Sequence, residues 1–375
     1  MLRIPEARPT WGEANPRKQG SAKMKRLAKA VMWILICLIL LAGLGLGYLT
    51  LTEYRPAASE AVALTGDAAP APKPGDRLSA VSFNIGYCGL PAESDFFLDG
   101  GTMTRVGSKD IIERDLAGVT EALKAEACDL ALVQEVDRNS KRSYNVDEAA
   151  ALIKALAGSS AFANNFLCPF VPIPPLDPIG KVDSGIMTFS AIGADSATRL
   201  GLPSPFSWPL STCNLKRCLL ATRIPVEGTG KDLVVVNLHL EAYDTGEGKA
   251  AQTKALVNYL TGEYEKGNYV VAGGDFNQWL PGVDRQKYPL KVAGAYVPGD
   301  VDASILPGWT FASDDATPTC RLNDRPYDAT DPDMQTYVID GFILSPNLTL
   351  KSVHTLPLDF QFSDHNPVRI EFELS

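Results

Sequence analysis

Two stretches of the sequence decide the fold: LVVVNLHL at residues 233–240 and YVVAGGDFN at residues 269–277. Each opens with a continuous run of apolar residues, a pattern typical of strands that are buried on both faces. Each closes on polar side chains, and in the first stretch Asn237 and His239 lie two positions apart, hence on one face of the strand. A helical pattern at residues 248–264 separates the two stretches. They predict a buried sheet with polar side chains at the carboxyl ends of its strands.

Strand and helix patterns continue outward from these stretches in both directions. Further strands are predicted at residues 78–84, 129–135, 184–190, 219–224, 337–344 and 368–372, and further helices at 108–127 and 148–156. This alternation predicts a layered α/β fold, and strands buried on both faces indicate two packed sheets with helices outside. With 45% hydrophobic and 21% charged residues in 375, the composition excludes disorder over most of the chain.

The N-terminal part of the chain is predicted to anchor it in a membrane. Residues 30–52 carry no charge, and about 20 apolar residues suffice to cross the hydrocarbon core of a bilayer. Basic residues precede this run, whereas Glu53 is the first charge after it. The excess of positive charge places residues 1–29 in the cytoplasm as a basic tail and the rest of the chain outside the cell membrane. A cleaved signal peptide is the alternative, and Met24 is an alternative start.

The composition changes again beyond the predicted span. Residues 53–76 are rich in Ala and Pro and predict an extended linker, and the folded domain is expected to cover residues 77–375. After residue 52 the chain has 27 basic and 42 acidic residues, a balance of −15. A surface this acidic is poorly suited to long nucleic acids, so no stable nucleic-acid partner is expected. Cys213 and Cys218 either form a small disulfide loop or stay free.

Further polar side chains lie at strand ends or inside strands. Glu135 ends one predicted strand, Asp340 lies within an apolar run, and Asp364 and His365 directly precede the last strand. Taken singly, most such residues form turns or solvated loops. Asp340 differs, because a charge inside an apolar strand is costly unless a partner is supplied. Ligands bind beyond the carboxyl ends of strands, so these residues together indicate a site.

Six motifs in this chain resemble those of the endonuclease/exonuclease/phosphatase superfamily, which includes deoxyribonuclease I, exonuclease III, bacterial sphingomyelinases and inositol polyphosphate phosphatases. They occur in the family's order: SFNIG (82–86), VQEVD (133–137), NLHLEAYD (237–244), GGDFN (273–277), VIDGF (338–342) and SDHNPV (363–368). Any one motif is weak, but six in order are specific, and exported bacterial members are the most similar. The resemblance covers residues 78–375. It implies a deoxyribonuclease I-like fold, a four-layered α/β sandwich of two packed mixed sheets flanked by helices, here preceded by one transmembrane helix.

The resemblance also implies a metal site. Glu135 would be the main carboxylate ligand of a divalent cation, with Asn84 beside it and Asp364 completing the site or steering its water. Oxygen ligands without a Cys/His cluster point to Mg²⁺, with Mn²⁺ as the alternative.

The remaining motif residues would act on the phosphoester. By resemblance, Asp275 would orient or deprotonate the attacking water, and Asn277 would hold the scissile phosphate. His365, oriented by Asp340, would act as acid or base or bind a phosphoryl oxygen, and His239 would also lie against the phosphate. Whether Asp275 or His365 is the base stays open.

This chain departs from parts of the family pattern. Residues 85–87 follow Asn84 without the acidic residue that the DNA-repair members carry there, which disfavours repair of abasic DNA. The glutamate that backs the first histidine in deoxyribonuclease I has no clear counterpart. Its candidates are Asp137, Asp147 and Glu148.

Four side chains on predicted loops are candidates to contact substrate phosphate or head group, with a solvated surface role as the alternative: Arg142, Tyr144, Lys181 and Arg321. Two apolar loops either line the entrance and dip into lipid or simply pack: the one with Phe96 and Phe97, and CPFVPIPPLDP at residues 168–178.

The sequence therefore predicts a membrane-anchored, extracytoplasmic, Mg²⁺-dependent phosphoester hydrolase, either a phosphodiesterase or a phosphatase. A lipid head group is one candidate substrate, and an exported endonuclease or exonuclease is the alternative. A non-catalytic binding descendant of the fold is an alternative of another class, but it would be free to lose the motif residues that this chain keeps.

Overall fold

The computed structural model of the chain describes residues 16–66, 69–243 and 246–375. The chain divides into two compact units, one ending at Leu51 and the other running from Thr52 to Ser375. The described part of the first unit is helix α1 (Pro16–Leu51), and its segment Met24–Leu51 is long and apolar enough to cross a membrane. A signal sequence near the N-terminus has the same features. The first 15 residues of the predicted tail lie outside the described residues.

The described residues of the second unit form three α-helices, α2 (Lys109–Glu126), α3 (Glu148–Ala155) and α4 (Glu247–Glu265). Its first nine strands are β1 (Ser59–Val62), β2 (Leu64–Gly66), β3 (Arg77–Asn84), β4 (Leu130–Asp137), β5 (Ser159–Val171), β6 (Gly180–Ser190), β7 (Ser196–Gly201), β8 (Cys218–Val226) and β9 (Lys231–His239). The remaining strands are β10 (Tyr269–Asp275), β11 (Gln278–Trp279), β12 (Gly299–Asp300), β13 (Thr310–Ala312), β14 (Cys320–Arg321), β15 (Thr336–Tyr337), β16 (Asp340–Leu344), β17 (Leu348–Thr355) and β18 (Val368–Leu374).

Two mixed sheets of seven strands each form the centre of the second unit. The strand order is β1-β7-β8-β9-β10-β16-β13 in the first sheet and β17-β18-β3-β4-β6-β5-β2 in the second. A core that includes Leu132, Val235 and Ile370 lies between the sheets, because strands of both contribute to it. Helices α2 and α3 cover the outer face of the second sheet, and α4 covers that of the first. This four-layered sandwich confirms the predicted fold.

Residues 53–76, which the sequence analysis interprets as a free linker, take part in both sheets. Strand β1 pairs with β7 at the edge of the first sheet, and β2 pairs with β5 at the edge of the second. The physical reason is that an edge strand offers unpaired backbone groups that a neighbouring segment can satisfy. At the start of this segment the Glu53 carboxylate lies 2.7 Å from the Lys216 ammonium.

The predicted strand at residues 337–344 is divided in two. Tyr337 pairs with Cys320 in a small separate ladder, whereas Asp340 begins the strand of the large sheet. Between them the Thr319 hydroxyl accepts hydrogen bonds from the backbone amides of Ile339 and Asp340, which replaces strand pairing at this point.

All seven cysteines are free, so Cys213 and Cys218 do not form the disulfide that was one of the two expectations.

The two sheets are joined in their interior by side-chain amides. Gln134 on β4 donates to the Asn237 side-chain oxygen on β9 at 2.8 Å, and Asn237 donates to the carbonyl of Met187 at 2.8 Å. Both amides are fully buried, so the bonds form where water does not compete. They fix the position of one sheet against the other close to the ends of β4 and β9.

A substitution at Gly274 tests the close approach of strands β9 and β10. Gly274 has φ +152°, and an added Cβ would collide with the carbonyl oxygen of Leu238 on β9. We therefore expect Gly274→Ala to lower the free energy of unfolding by about 3 kcal/mol or more, measured as a fall in the thermal midpoint of the detergent-solubilised chain. The control is Gly262→Ala in α4. There an added Cβ would have no atom within 4 Å apart from the helix's own neighbouring backbone, and the free energy of unfolding is expected to rise by about 0.5–1 kcal/mol. Equal midpoints for the two variants would contradict this account.

Candidate active site

Three polar side chains form a row across neighbouring strands of the first sheet. Strand β10 runs parallel to β9, which sets Asp275 opposite His239, and antiparallel to β16, which sets Asp275 opposite Asp340. His239 Nε2 lies 3.5 Å from Asp275 Oδ2. The strand register therefore brings together three residues that are far apart in the sequence.

The second sheet supplies the facing side of the site through Asn84, at the end of β3. The Asn84 amide nitrogen lies 3.2 Å from Glu135 Oε1 on β4 and 3.1 Å from Asp275 Oδ2 on the first sheet. The loop before β18 is held against the same strand end, because the Ser363 hydroxyl donates to the Asn84 carbonyl at 2.8 Å. Asn84 thus connects both sheets and the last loop.

A bulge in β4 turns Glu135 toward this site. The pairing of β4 with β6 is interrupted between Val133 and Val136, and Glu135 has a left-handed φ of +56°. A bulge redirects a side chain that regular pairing would send elsewhere. A non-glycine residue in this conformation carries strain, which is common where function requires a particular geometry.

His365 and Asp340 form a buried pair. His365 Nδ1 donates to Asp340 Oδ2 at 2.8 Å, and Nε2 lies 3.7 Å from Asp275 Oδ2. Burial alone would lower the pKa of His365, but the Asp340 carboxylate outweighs burial and raises that pKa well above its ordinary value. This pairing favours the protonated form of the ring, whose Nε2 is directed toward Asp275.

Asp275 is the carboxylate at the centre of the site. Its Oδ1 accepts a hydrogen bond from the Asn277 backbone amide at 2.8 Å. Burial and the nearby Asp340 carboxylate raise the pKa of Asp275. The Asn277 side chain donates one of its two N–H groups to the Leu240 carbonyl at 2.9 Å.

His239 differs in character from His365. Burial, followed by the charge of Arg217, lowers the pKa of His239 well below its ordinary value, so the ring is neutral. Its Nδ1 is buried and has no hydrogen-bond partner among the described residues. The three candidates for a backing carboxylate are used elsewhere: Asp137 binds Arg142, Glu148 accepts from the Asp137 amide, and Asp147 caps α3.

The carboxylates of Glu135 and Asp364 fit a hard divalent cation. Burial raises the pKa of Glu135, the charge of Arg142 opposes this, and the nearby Asp364 carboxylate adds to the rise. A bound cation would stabilise both carboxylates in their charged forms. Asp364 is fixed by Asn323, which donates to its Oδ2 at 2.6 Å. Asn84 directs its amide nitrogen at Glu135, so it would serve as a ligand only with its amide turned over.

A second group of possible ligands lies beside the first. Ligand atoms of Asp275, Asp340 and His365 all fall within 4.8 Å of one another. However, His365 Nδ1 and Asp340 are already hydrogen-bonded to each other. Glu135 and Asp364 accept hydrogen bonds only from neutral amide and hydroxyl groups, so this pair of carboxylates matches the preference of Mg²⁺ or Mn²⁺ for charged oxygen ligands better.

A cavity of about 390 Å³ is lined by polar side chains of the site, which we call its floor: Glu135, His239, Asp275, Asn277, Asp364 and His365. Arg142 lines it, bound through two nitrogens to Asp137 and stacked 3.8 Å from the Tyr87 ring centroid. Arg321 also lines it, but its guanidinium donates to backbone carbonyls, including that of Pro91 at 2.8 Å.

The other two loop candidates for substrate contact do not line this cavity. The Tyr144 hydroxyl donates to the Val106 carbonyl, and the Lys181 side chain is exposed at the surface.

Sequence reasoning did not identify several cavity residues. Arg217, just before β8, donates to the Glu241 carboxylate at 3.2 Å and to the His239 carbonyl at 3.1 Å. Glu241 follows His239 by two positions within a quoted motif, so a signal was present. Asn323 and the hydrogen bond from Tyr243 to Asp99 join segments distant in sequence, and no local pattern indicates them.

Comparisons with known proteins agree with this architecture. No family model matches the chain, and no curated protein matches it. Among solved structures, the endonuclease/exonuclease/phosphatase from Beutenbergia cavernae DSM 12333 is similar with a TM-score of 0.55, over 80% of this chain and 72% of that chain. This chain has the endonuclease/exonuclease/phosphatase fold. At 19% identity the likeness shows the fold and not the activity.

Other structures with the endonuclease/exonuclease/phosphatase fold match less closely. The human Nocturnin catalytic domain with bound sulfate is 17% identical, with 84% of this chain and 97% of that chain covered and a TM-score of 0.49. The endonuclease/exonuclease/phosphatase from Bacteroides vulgatus is 16% identical, with 80% of this chain and 100% of that chain covered and a TM-score of 0.48. Neither adds to the argument.

Measurements of metal affinity distinguish the two possible ligand sets of this site. We expect Glu135→Gln to weaken Mn²⁺ binding by about tenfold or more, because it removes a charged oxygen donor. Asp340→Asn should change the affinity by no more than about twofold, since Asp340 serves His365. Isothermal titration calorimetry on the metal-free protein measures both. The opposite ranking would assign the cation to Asp275, Asp340 and His365.

Proposed function

We propose that this chain is a phosphoester hydrolase that requires a divalent cation, Mg²⁺ or Mn²⁺. One observation carries the proposal: Asp275, His365 and the carboxylates Glu135 and Asp364 line one cavity, and Asp340 is hydrogen-bonded to His365. Phosphoryl transfer needs an oriented water, a proton donor for the leaving oxygen and neutralisation of charge. This arrangement offers all three.

Each residue has a distinct role in this proposal. Asp275 accepts the proton of the water that attacks phosphorus, because its carboxylate faces the cavity. His365 gives a proton to the leaving oxygen as the phosphorus–oxygen bond breaks, and Asp340 positions its ring. His239 donates to a phosphoryl oxygen. Glu135 and Asp364 would hold the cation, which would neutralise negative charge on the phosphoryl group.

A purely structural origin of this cluster is disfavoured by its cost. Asp275, Asp340 and His365 are each at least 95% buried. Burying charged groups is expensive, and a binding descendant of the fold would gain by replacing them with apolar side chains. An exported nuclease is the second candidate, because aromatic side chains stack on nucleobases and two tyrosines, Tyr243 and Tyr296, line the cavity.

We further propose that helix α1 anchors the protein in the cell membrane, with the N-terminus in the cytoplasm and the catalytic domain outside. Support comes from the apolar segment Met24–Leu51 and the basic residues Lys25, Arg26 and Lys29 near its start.

The pairing of Asp340 with His365 predicts non-additive kinetics. Asp340→Asn keeps the shape of the side chain but removes its charge, so we expect kcat to fall about a hundredfold or more with little change in KM. His365→Ala should be about as damaging, and the double variant little worse than either single one. His354→Ala, which removes an exposed histidine on β17, is the control and should retain activity. Losses that multiply in the double variant would show that the two residues do not act together.

Membrane topology predicts a protease result. If α1 is an uncleaved anchor, the protein should sediment with membranes, resist carbonate extraction and keep an N-terminal tag. Protease added to intact cells should digest the domain beyond Tyr54 and spare the tag. Recovery of a soluble protein without its tag from the medium would instead identify α1 as a cleaved signal peptide.

A further inference from the structure

The cavity combines two kinds of surface. Its floor holds the charged residues of the site, whereas its walls are built from apolar side chains: Leu90, Phe166, Val171, Ile179, Phe206 and Leu215. Its volume of about 390 Å³ falls in the range of about 300–1,000 Å³ that is usual for ligand pockets. A small polar phosphoester would leave these walls in contact with water. A substrate with hydrocarbon next to its phosphoester would cover them.

Exposed apolar side chains lie on the segments that line this cavity. Ten large apolar side chains of the described part of the second unit are exposed. Three of these ten line the cavity themselves, and four more lie on residues 170–179 and 206–215, two segments that each supply several lining residues. We call these seven the rim: Leu98, Phe170, Ile173, Leu176, Trp208, Leu210 and Tyr243. Trp208 is 60% exposed, Leu210 62%, and Leu176 completely. A concentration of exposed apolar groups around a polar site indicates contact with another apolar phase.

The rim lies where the chain enters the domain from α1. Glu53 pairs with Lys216, and the Lys216 ammonium also donates to the Ser211 carbonyl, within the rim loop that carries Trp208 and Leu210. Only Thr52 separates Glu53 from the last residue of α1. If α1 crosses the bilayer, the covalent chain therefore leaves the membrane directly beside the rim.

The charges of the cavity disfavour a polyanion as its occupant. Arg217 is paired with Glu241, Arg142 with Asp137, and Arg321 with backbone carbonyls. Because they are paired, these guanidinium groups do not form a continuous basic surface that could bind successive phosphates. The net charge beyond residue 52 is −15, which also disfavours a polyanion. A single phosphoester with an apolar chain fits this distribution better.

We propose that the substrate is a membrane lipid phosphoester, taken from the bilayer on which the rim rests. The hydrocarbon next to the phosphoester lies along the apolar walls, and the phosphorus reaches Asp275 and His365. This inference rests on the proposed hydrolase function and names its substrate class.

The chain length of the substrate tests the proposal. The full-length protein is reconstituted in phosphatidylcholine vesicles and given the methyl and hexadecyl members of two series, alkyl 4-nitrophenyl phosphates and alkyl phosphates. These cover diesterase and phosphatase activity. The hexadecyl ester of the productive series should show a kcat/KM at least about tenfold above that of the methyl ester. Equal values, or faster hydrolysis of a soluble dinucleotide, would overturn the lipid assignment and leave the hydrolase intact. If none of the esters is hydrolysed, both the lipid assignment and the proposed hydrolase function are contradicted.

Rim variants test the membrane contact separately. Trp208→Ser and Leu210→Ser should each lower the ratio of hexadecyl to methyl ester hydrolysis by about fivefold or more, since apolar area no longer enters the bilayer. Leu290→Ser is the matched control, because Leu290 is 55% exposed but lies outside the rim, and its ratio should not change. Equal ratios in the rim and control variants would contradict docking of the rim.

A fluorescence measurement is independent of turnover. Dibrominated phosphatidylcholine in the vesicles should quench the wild-type protein more than Trp208→Phe, with the difference arising from Trp208. The other tryptophans, including Trp33 in α1, are common to both proteins. Equal quenching would place Trp208 outside the bilayer and overturn the proposed contact.

Discussion

The buried amide contact between Gln134 and Asn237 is the constraint on which the site depends. It joins the two sheets at 2.8 Å, one position before Glu135 and two before His239. Two sheets packed only through apolar side chains can slide by small amounts, whereas paired buried amides allow one arrangement. Because the amides hold β4 against β9, Asn84 of one sheet can reach Asp275 of the other at 3.1 Å. The site is thus a property of the sheet packing.

The same region concentrates features that oppose stability. Glu135 and Asn277 both have left-handed φ values, and the buried His239 Nδ1 has no partner within the described chain. Such conformations and unpaired groups each cost about 1–3 kcal/mol. Their occurrence around one cavity, next to continuous apolar strands, is the pattern expected where geometry is kept for chemistry rather than for stability.

The sequence predicts most of the buried framework, because its signals are local. The strand at residues 269–275 and the helices α2 to α4 agree with the structure within one residue at each end, and Asp340 stands out as a charge in an apolar run. Strand β5 was missed because polar Asn residues interrupt it, and β17 because it is an edge strand with exposed polar residues. The pairing of residues 59–66 with both sheets, the Arg217–Glu241 pair and the apolar rim depend on long-range contacts that no local pattern records.

The central claim is that water attacks phosphorus at the floor of this cavity. Hydrolysis of a panel of phosphoesters in ¹⁸O-labelled water, followed by mass spectrometry, tests it most directly. The account predicts turnover only with a divalent cation, one ¹⁸O atom in the phosphoryl product, and loss of the reaction in Asp275→Asn. Label in the alcohol product instead, or full turnover in EDTA, would contradict it.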